Sequence, residues 1–187
     1  MGILDNIVNQ LRRRSKLAIR SASSNKTSNG VNHYMYSKRN AWSGVLFGIG
    51  AVAFIDETVF HQLLHWHHFY DKSTTNIGLV SDGLFHAFSW FATIGGLFMY
   101  ADLRRRSALV RARWWGGFLL GAGGFQLYDG LIQHKLMRIH QIRYVENVIL
   151  YDMVWNILAA CMLLVGFILV YRTRSSQGAG KAYSNVH

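Results

Sequence analysis

The chain has 187 residues, enough for one domain, and it combines 51% hydrophobic residues with a net charge of +11. One cysteine, Cys161, excludes an intrachain disulfide and a CxxC site. The basic excess comes with no nucleic-acid motif or aromatic platform, which sets nucleic acid aside as a partner.

Taken in chain order, residues 1–22 place Leu4, Ile7, Val8, Leu11, Ser15, Ala18 and Ile19 at helical spacing among basic residues. This is the pattern of an amphipathic helix lying on an anionic membrane surface, although a solvated or partner-binding basic helix has the same pattern. Residues 23–30, SSNKTSNG, read as a polar linker, so residues 1–40 form a basic N-terminal segment. Four apolar windows follow, at roughly 41–66, 82–101, 114–134 and 147–171. Each is long enough to cross a membrane, and a soluble core of this size needs no such set. The fold expected is therefore all-α: a transmembrane bundle of four helices, up-down-up-down, over residues 41–171, with a tail at 172–187.

Of the twenty Lys and Arg, eight precede Ala41, five lie between Leu103 and Arg113, and three follow Val170. Only Lys72, Lys135, Arg138 and Arg143 fall elsewhere. The positive-inside rule then puts both termini in the cytoplasm and the 69–81 and 135–146 loops outside an inner membrane. On this reading the charge serves topology and contact with anionic lipid at the cytoplasmic face.

The first window ends in FIDETVFHQLLHWHHFY, where Asp56, Glu57, His61, His65, His67 and His68 crowd one helix end. An ionisable group at membrane depth costs about 2.5–3.5 kcal/mol on the mildest scale, so several together call for a metal, a counter-charge or water. At 100° per residue Glu57, His61, His65 and His68 share one face, with Asp56 and His67 on another. A girdle of histidines at headgroup level is the bland alternative for His67 and His68. The second window opens with Asp82 and His86 at i, i+4, where Asp82 also suits a helix cap. Gly44-x3-Gly48 in the first window and Gly117-x3-Gly121 in the third allow close backbone approach, which supports a bundle tight on the cytoplasmic side. The third window ends through Asp129 and His134, with His140 just beyond, and the fourth begins near Asp152.

All four windows share an asymmetry: their inner halves carry no Asp, Glu, Lys, Arg or His, while their outer halves hold Asp56, Glu57, Asp82, Asp129 and Asp152. Antiparallel helices with short loops are neighbours, so these groups converge on a polar pocket expected to open outward. Imidazole with carboxylate suits copper(II), zinc or iron; copper(I) would ask for thiolate or thioether, and only Met137 or Met153 is near. The ligands expected are His61, His65, His68, His86 and His134, with Asp56, Glu57, His67, Asp82, Asp129, His140 and Asp152 orienting them or adding to them. A b-type haem between His86 and His134 ranks behind a metal ion.

Three segments, FIDETVFHQLLHWHH, DGLFHAFSW and FQLYDGLIQHKLMRIH, resemble a family of four-helix bacterial membrane proteins, domain of unknown function 2243, over roughly residues 42–171. The resemblance matches Asp56, His61, Gln62, Trp66, His67, His68, Asp82, Gly83, His86, Asp129, Gly130, His134 and His140. Glu57 and His65 depart from the family pattern, and Lys135 stands where histidine is typical. The resemblance implies fold and membrane placement but no activity.

Three functions meet these features. Metal handling or metalloprotein assembly, with a metalloprotein partner at the outer face, needs a metal site and no catalytic base. A membrane oxidoreductase with di-iron or copper chemistry ranks second, because His65-x-His67-His68 departs from the HxxHH box of the histidine-rich hydroxylases and desaturases. An ion pathway is disfavoured, since nothing charged lines the inner halves.

Overall fold

A computed structural model describes residues 3–179. Among them every regular element is helical: α1 (Ile3–Asp56), a wide π-type segment π1 (Glu57–Leu63), α2 (Thr75–Arg105), α3 (Arg111–Tyr128), a second wide segment π2 (Asp129–Met137) and α4 (Val148–Ala179). The chain divides into two units, Met1–Tyr36 and Ser37–His187. In the first, Arg13, Arg14, Lys16 and Leu17 are exposed. The apolar stripe expected there rests on Leu4, Ile7, Val8, Leu11, Ala18 and Ile19, whose side chains lie outside those described, as do residues 180–187 of the tail.

In the second unit glycine sets the spacing of the helices. A Cβ on Gly44 would lie 2.1 Å from the Trp114 carbonyl oxygen, and one on Gly121 would lie 2.1 Å from that of Val45, so α1 and α3 touch backbone to backbone. Residues 41–48 meet 114–122 in the same order, so the two helices run parallel. Gly50 meets Ser89 and Thr93 while Phe47 meets Gly96, which makes α2 antiparallel to α1; Gly116 and Gly123 meet Val170 and Ala159, which makes α4 antiparallel to α3.

The interior is polar and the exterior oily. Among the described residues fifteen polar or charged side chains are buried against seven apolar ones, whereas Leu84, Phe91, Phe98, Leu164 and Phe167 are exposed. That inversion suits hydrocarbon outside the bundle. Three helices are long and apolar enough to cross a membrane: Tyr34–Leu63, Thr75–Arg105 and Val148–Thr173. The expected third span differs. Its α-helix begins at Arg111 and Arg113, has 18 residues rich in glycine, and gains further length only through π2. The second and fourth helices run beyond their apolar windows, starting at Thr75 and ending at Ala179.

Candidate metal centre

The centre is built where α1 and α3 loosen. From Glu57 the first helix widens, and Leu64 N–H donates to the Val59 carbonyl at 2.9 Å, an i→i−5 bond. Trp66 N–H then reaches the Phe60 carbonyl at 2.9 Å, and His65 turns the chain at φ 50°. In the second copy of this turn Ile139 N–H donates to the Gln133 carbonyl at 3.1 Å and Arg138 sits at φ 52°. Both turns fold the following loop back over the bundle end. They carry His67 and His140 inward.

Those two imidazoles lie parallel, with ring centroids 4.6 Å apart and planes 6° apart. His67 Nδ1–H donates to the Ile142 carbonyl at 3.1 Å and His140 Nδ1–H to the Phe69 carbonyl at 2.9 Å. A carbonyl only accepts, so both Nδ1 atoms carry the proton and both Nε2 atoms present lone pairs to the interior. Burial first, then the neighbouring His140 and His61 rings, hold the His67 imidazole down to about 2, in its neutral form.

His61 occupies the first side of the cluster. Its Nε2 is 3.0 Å from His67 Nε2 and 3.8 Å from Asp56 Oδ2. Its Nδ1 lies 2.7 Å from Glu57 Oε2 and 3.2 Å from Asp82 Oδ1, but it forms no hydrogen bond of acceptable geometry. His134 occupies the other side, with Nε2 3.0 Å from Asp129 Oδ2 and Nδ1 3.7 Å from Asp152 Oδ1. His140 Nε2 is 3.4 Å from Asp129 Oδ1. The two Nε2 atoms thus face the Asp129 carboxylate, while His134 Nδ1 is buried without a hydrogen-bond partner. Three groups bring one donor atom per residue together closely enough for one cation: Asp56/His61/His67, His67/His134/His140 and Glu57/His61/Asp82. Imidazole and carboxylate in this mixture are the donors of zinc, iron and copper(II) sites.

Among known protein families, the one described as "Predicted membrane protein (DUF2243)" fits residues 43–173. The chain belongs to this family. No curated protein and no solved structure matches it.

In this DUF2243 chain the residues anticipated as ligands separate into two sets. His61 and His134 lie in the cluster with Asp56, Glu57, Asp82, Asp129 and Asp152. His68 orients rather than converges: its Nδ1 is 2.6 Å from Asp82 Oδ2, while Asp82 Oδ1 accepts from Phe69 N–H at 2.7 Å. His65 is exposed at the turn that follows π1. His86 faces away from the cluster; its Nε2 accepts from Trp90 Nε1–H at 3.2 Å and its ring lies 5.4 Å from that of Phe54. His67 and His140, anticipated only in support, stand at the centre. The 100° wheel misplaces His67 because π1 puts more residues in each turn and the chain then leaves the helix altogether, and His140, expected in a loop, is carried in by the turn after π2.

The expected outward mouth is also covered. His61, His134 and His140 are each no more than 2% exposed. The loops over them are fastened to each other, since Asp71 N–H donates to the Ile139 carbonyl at 3.1 Å and the Arg143 guanidinium stacks 4.8 Å over the Trp66 ring. Partial burial and a hydrogen bond with Asp71 push the Tyr144 hydroxyl up to about 12.

Proposed function

We propose that this chain is an integral membrane protein of four alternating transmembrane helices whose buried His/Asp cluster binds a transition metal. The proposed ligands are His61, His67, His134 and His140 with Asp56 and Asp129; Glu57, Asp82 and Asp152 orient or neutralise them. Both termini lie in the cytoplasm and the cluster lies near the outer face of an inner membrane, as the 16-to-4 distribution of basic residues implies. Metal handling or metalloprotein assembly is the function this arrangement supports best.

One observation carries the reading. Two buried histidines each donate Nδ1–H to a backbone carbonyl and aim Nε2 at further imidazole and carboxylate, the outer-shell arrangement of ligating histidines. A purely structural role would not call for His134 Nδ1 left without a hydrogen bond at this depth, 3.7 Å from Asp152 Oδ1, which costs about 1–3 kcal/mol.

The cavity beside the cluster favours a second reading. It has a volume of about 630 Å³ and is lined by Phe69, Phe85 and Phe125, with the Phe85 ring 5.8 Å from that of His61. An apolar substrate held there would make the protein a metal-dependent oxidoreductase. A b-type haem between His86 and His134 ranks behind both, because His86 Nε2 already accepts from Trp90 Nε1–H at 3.2 Å.

The test is elemental analysis with an optical spectrum on detergent-purified protein, beside the His67→Ala/His140→Ala double variant and a His86→Ala control. Metal at one or more equivalents in the wild type and the control, absent from the double variant, is expected. Metal retained by the double variant, or none in the wild type after reconstitution, overturns the reading. Turnover with a reductant and oxygen would move the assignment to the oxidoreductase.

A further inference from the structure

The two halves of the bundle are copies of one hairpin. Asp56, His61 and His67 recur 73 residues later as Asp129, His134 and His140, giving D-x4-H-x5-H twice; Gly44, Gly48 and Gly50 recur as Gly117, Gly121 and Gly123. Asp82 and Gly96 recur 70 residues later as Asp152 and Gly166. The contacts repeat with them. A Cβ on Gly44 would meet the Trp114 carbonyl oxygen at 2.1 Å and one on Gly117 that of Ala41 at 2.2 Å; Gly50 would meet Ser89 O and Gly123 Ala159 O, both at 2.7 Å. His61 and His140 rings lie 6.3 Å apart, and their counterparts His134 and His67 lie 6.2 Å apart. Parallel repeats related by an axis along the membrane normal are a known way of building membrane bundles. Here the axis runs between the stacked rings of His67 and His140.

A two-fold arrangement presents the Asp/His/His set twice. We propose that the chain binds two divalent transition-metal ions, one per repeat, at Asp56/His61/His67 and at Asp129/His134/His140. This deepens the metal-centre reading and rests on it. In the first locus His61 Nε2, His67 Nε2 and Asp56 converge; in the second His134 Nε2 and His140 Nε2 lie 3.0 and 3.4 Å from the two oxygens of Asp129. The pointer to a ligand is that two imidazole Nε2 atoms and one carboxylate meet in each repeat with no cationic side chain among them, at His61, His67 and Asp56 and at His134, His140 and Asp129, while His61 Nδ1 and His134 Nδ1 behind them are buried without a hydrogen bond.

The loci are not equivalent. Glu57 brings a third carboxylate to His61, beside Asp56 and Asp82. Its counterpart is Gly130, where a Cβ would meet Asn156 Oδ1 at 2.6 Å. In the second repeat Lys135 forms a tight ion pair with Asp152, the counterpart of Asp82, and neutralises it.

The deciding experiment titrates cobalt(II) into the metal-free full chain in detergent, following its visible absorption and the bound metal. Two equivalents in two unequal steps are expected. His61→Ala and His134→Ala should each retain one equivalent, Glu57→Gln should weaken binding at the first locus about tenfold, and Lys135→Gln should tighten it at the second by a similar factor. One equivalent in the wild type overturns the two-site inference and leaves a single shared centre; none overturns the metal reading itself. Two equal steps unaffected by Glu57→Gln overturn the inequivalence of the loci. Should a histidine variant fail to insert, the wild-type stoichiometry and the conservative Glu57→Gln still decide.

Discussion

His67 and His140 stack face to face while each donates its Nδ1–H across to the other repeat, His67 to Ile142 and His140 to Phe69. The same two bonds therefore close the loops over the cluster and fix which nitrogen faces inward. Coupling of cover and ligand has a consequence for mutation. His140→Phe keeps the ring packing but removes both nitrogens, and the Phe69 carbonyl loses its donor. We expect bound metal to fall by at least one equivalent and stability to drop by about 1–3 kcal/mol, read by elemental analysis and by thermal melting in detergent. A variant that melts earlier yet keeps its full metal would show His140 to be only a loop fastener.

Acid should loosen the metal-free protein through His67. Its native imidazole is held at about 2 against an ordinary value of 6.5. A depressed native value means that the unfolded chain binds the proton more readily, so the contribution is present above about 6.5 and is lost as pH falls toward 2. The unfolding free energy should fall between pH 7 and 5, with a slope approaching about 1.4 kcal/mol per pH unit, and the melting temperature should fall with it. His67→Gln should flatten that dependence. An equally steep acid loss in the variant would assign it to other groups.

Much of this was legible in the sequence, and the reason differs by level. Apolar windows locate α1, α2 and α4 because hydrocarbon selects composition directly; they miss how far α2 and α4 extend, since residues beyond the apolar stretch obey helix propensity rather than the membrane. Asp56, Asp82, Asp129 and Asp152 stand out because acids are rare at such depth. Which histidines converge was hidden by π1 and π2, whose i→i+5 closure no 100° wheel anticipates. The signal that would have found His67 and His140 is the repeated D-x4-H-x5-H at a spacing of 73 residues. It outranks His65 and His86, which stand in suggestive local patterns with no counterpart in the other half.

The topology has its own test. Ser107 lies in the loop between α2 and α3, and Glu146 in the loop before α4, and both are exposed. In a Cys161→Ala background, Ser107→Cys should react with an impermeant thiol reagent only from the side of the termini, and Glu146→Cys only from the opposite side. Labelling of both from one side would remove the alternating arrangement, and with it the placement of the cluster near the outer face.

Two glycines test whether backbone contact holds the repeats together. At Gly121 a Cβ would fall 2.1 Å from the Val45 carbonyl oxygen and 2.8 Å from its carbonyl carbon, so Gly121→Ala cannot be absorbed by a side-chain shift; α1 and α3 must part. At Gly83 nothing lies within 4 Å of the same position, and the residue is inside α2. There alanine meets no obstacle and restricts the unfolded chain, which favours the helix by about 0.5–1 kcal/mol. Gly121→Ala should therefore lower the melting temperature in detergent and broaden or weaken metal binding, because His61 and His134 ride on the two helices it separates. Gly83→Ala should leave melting unchanged or raise it slightly, although this glycine sits beside Asp82 in the Asp82-Gly83 pair. A loss of metal in Gly83→Ala without a loss of stability would mean that this backbone position serves the site directly, through the approach of something that a methyl group would block.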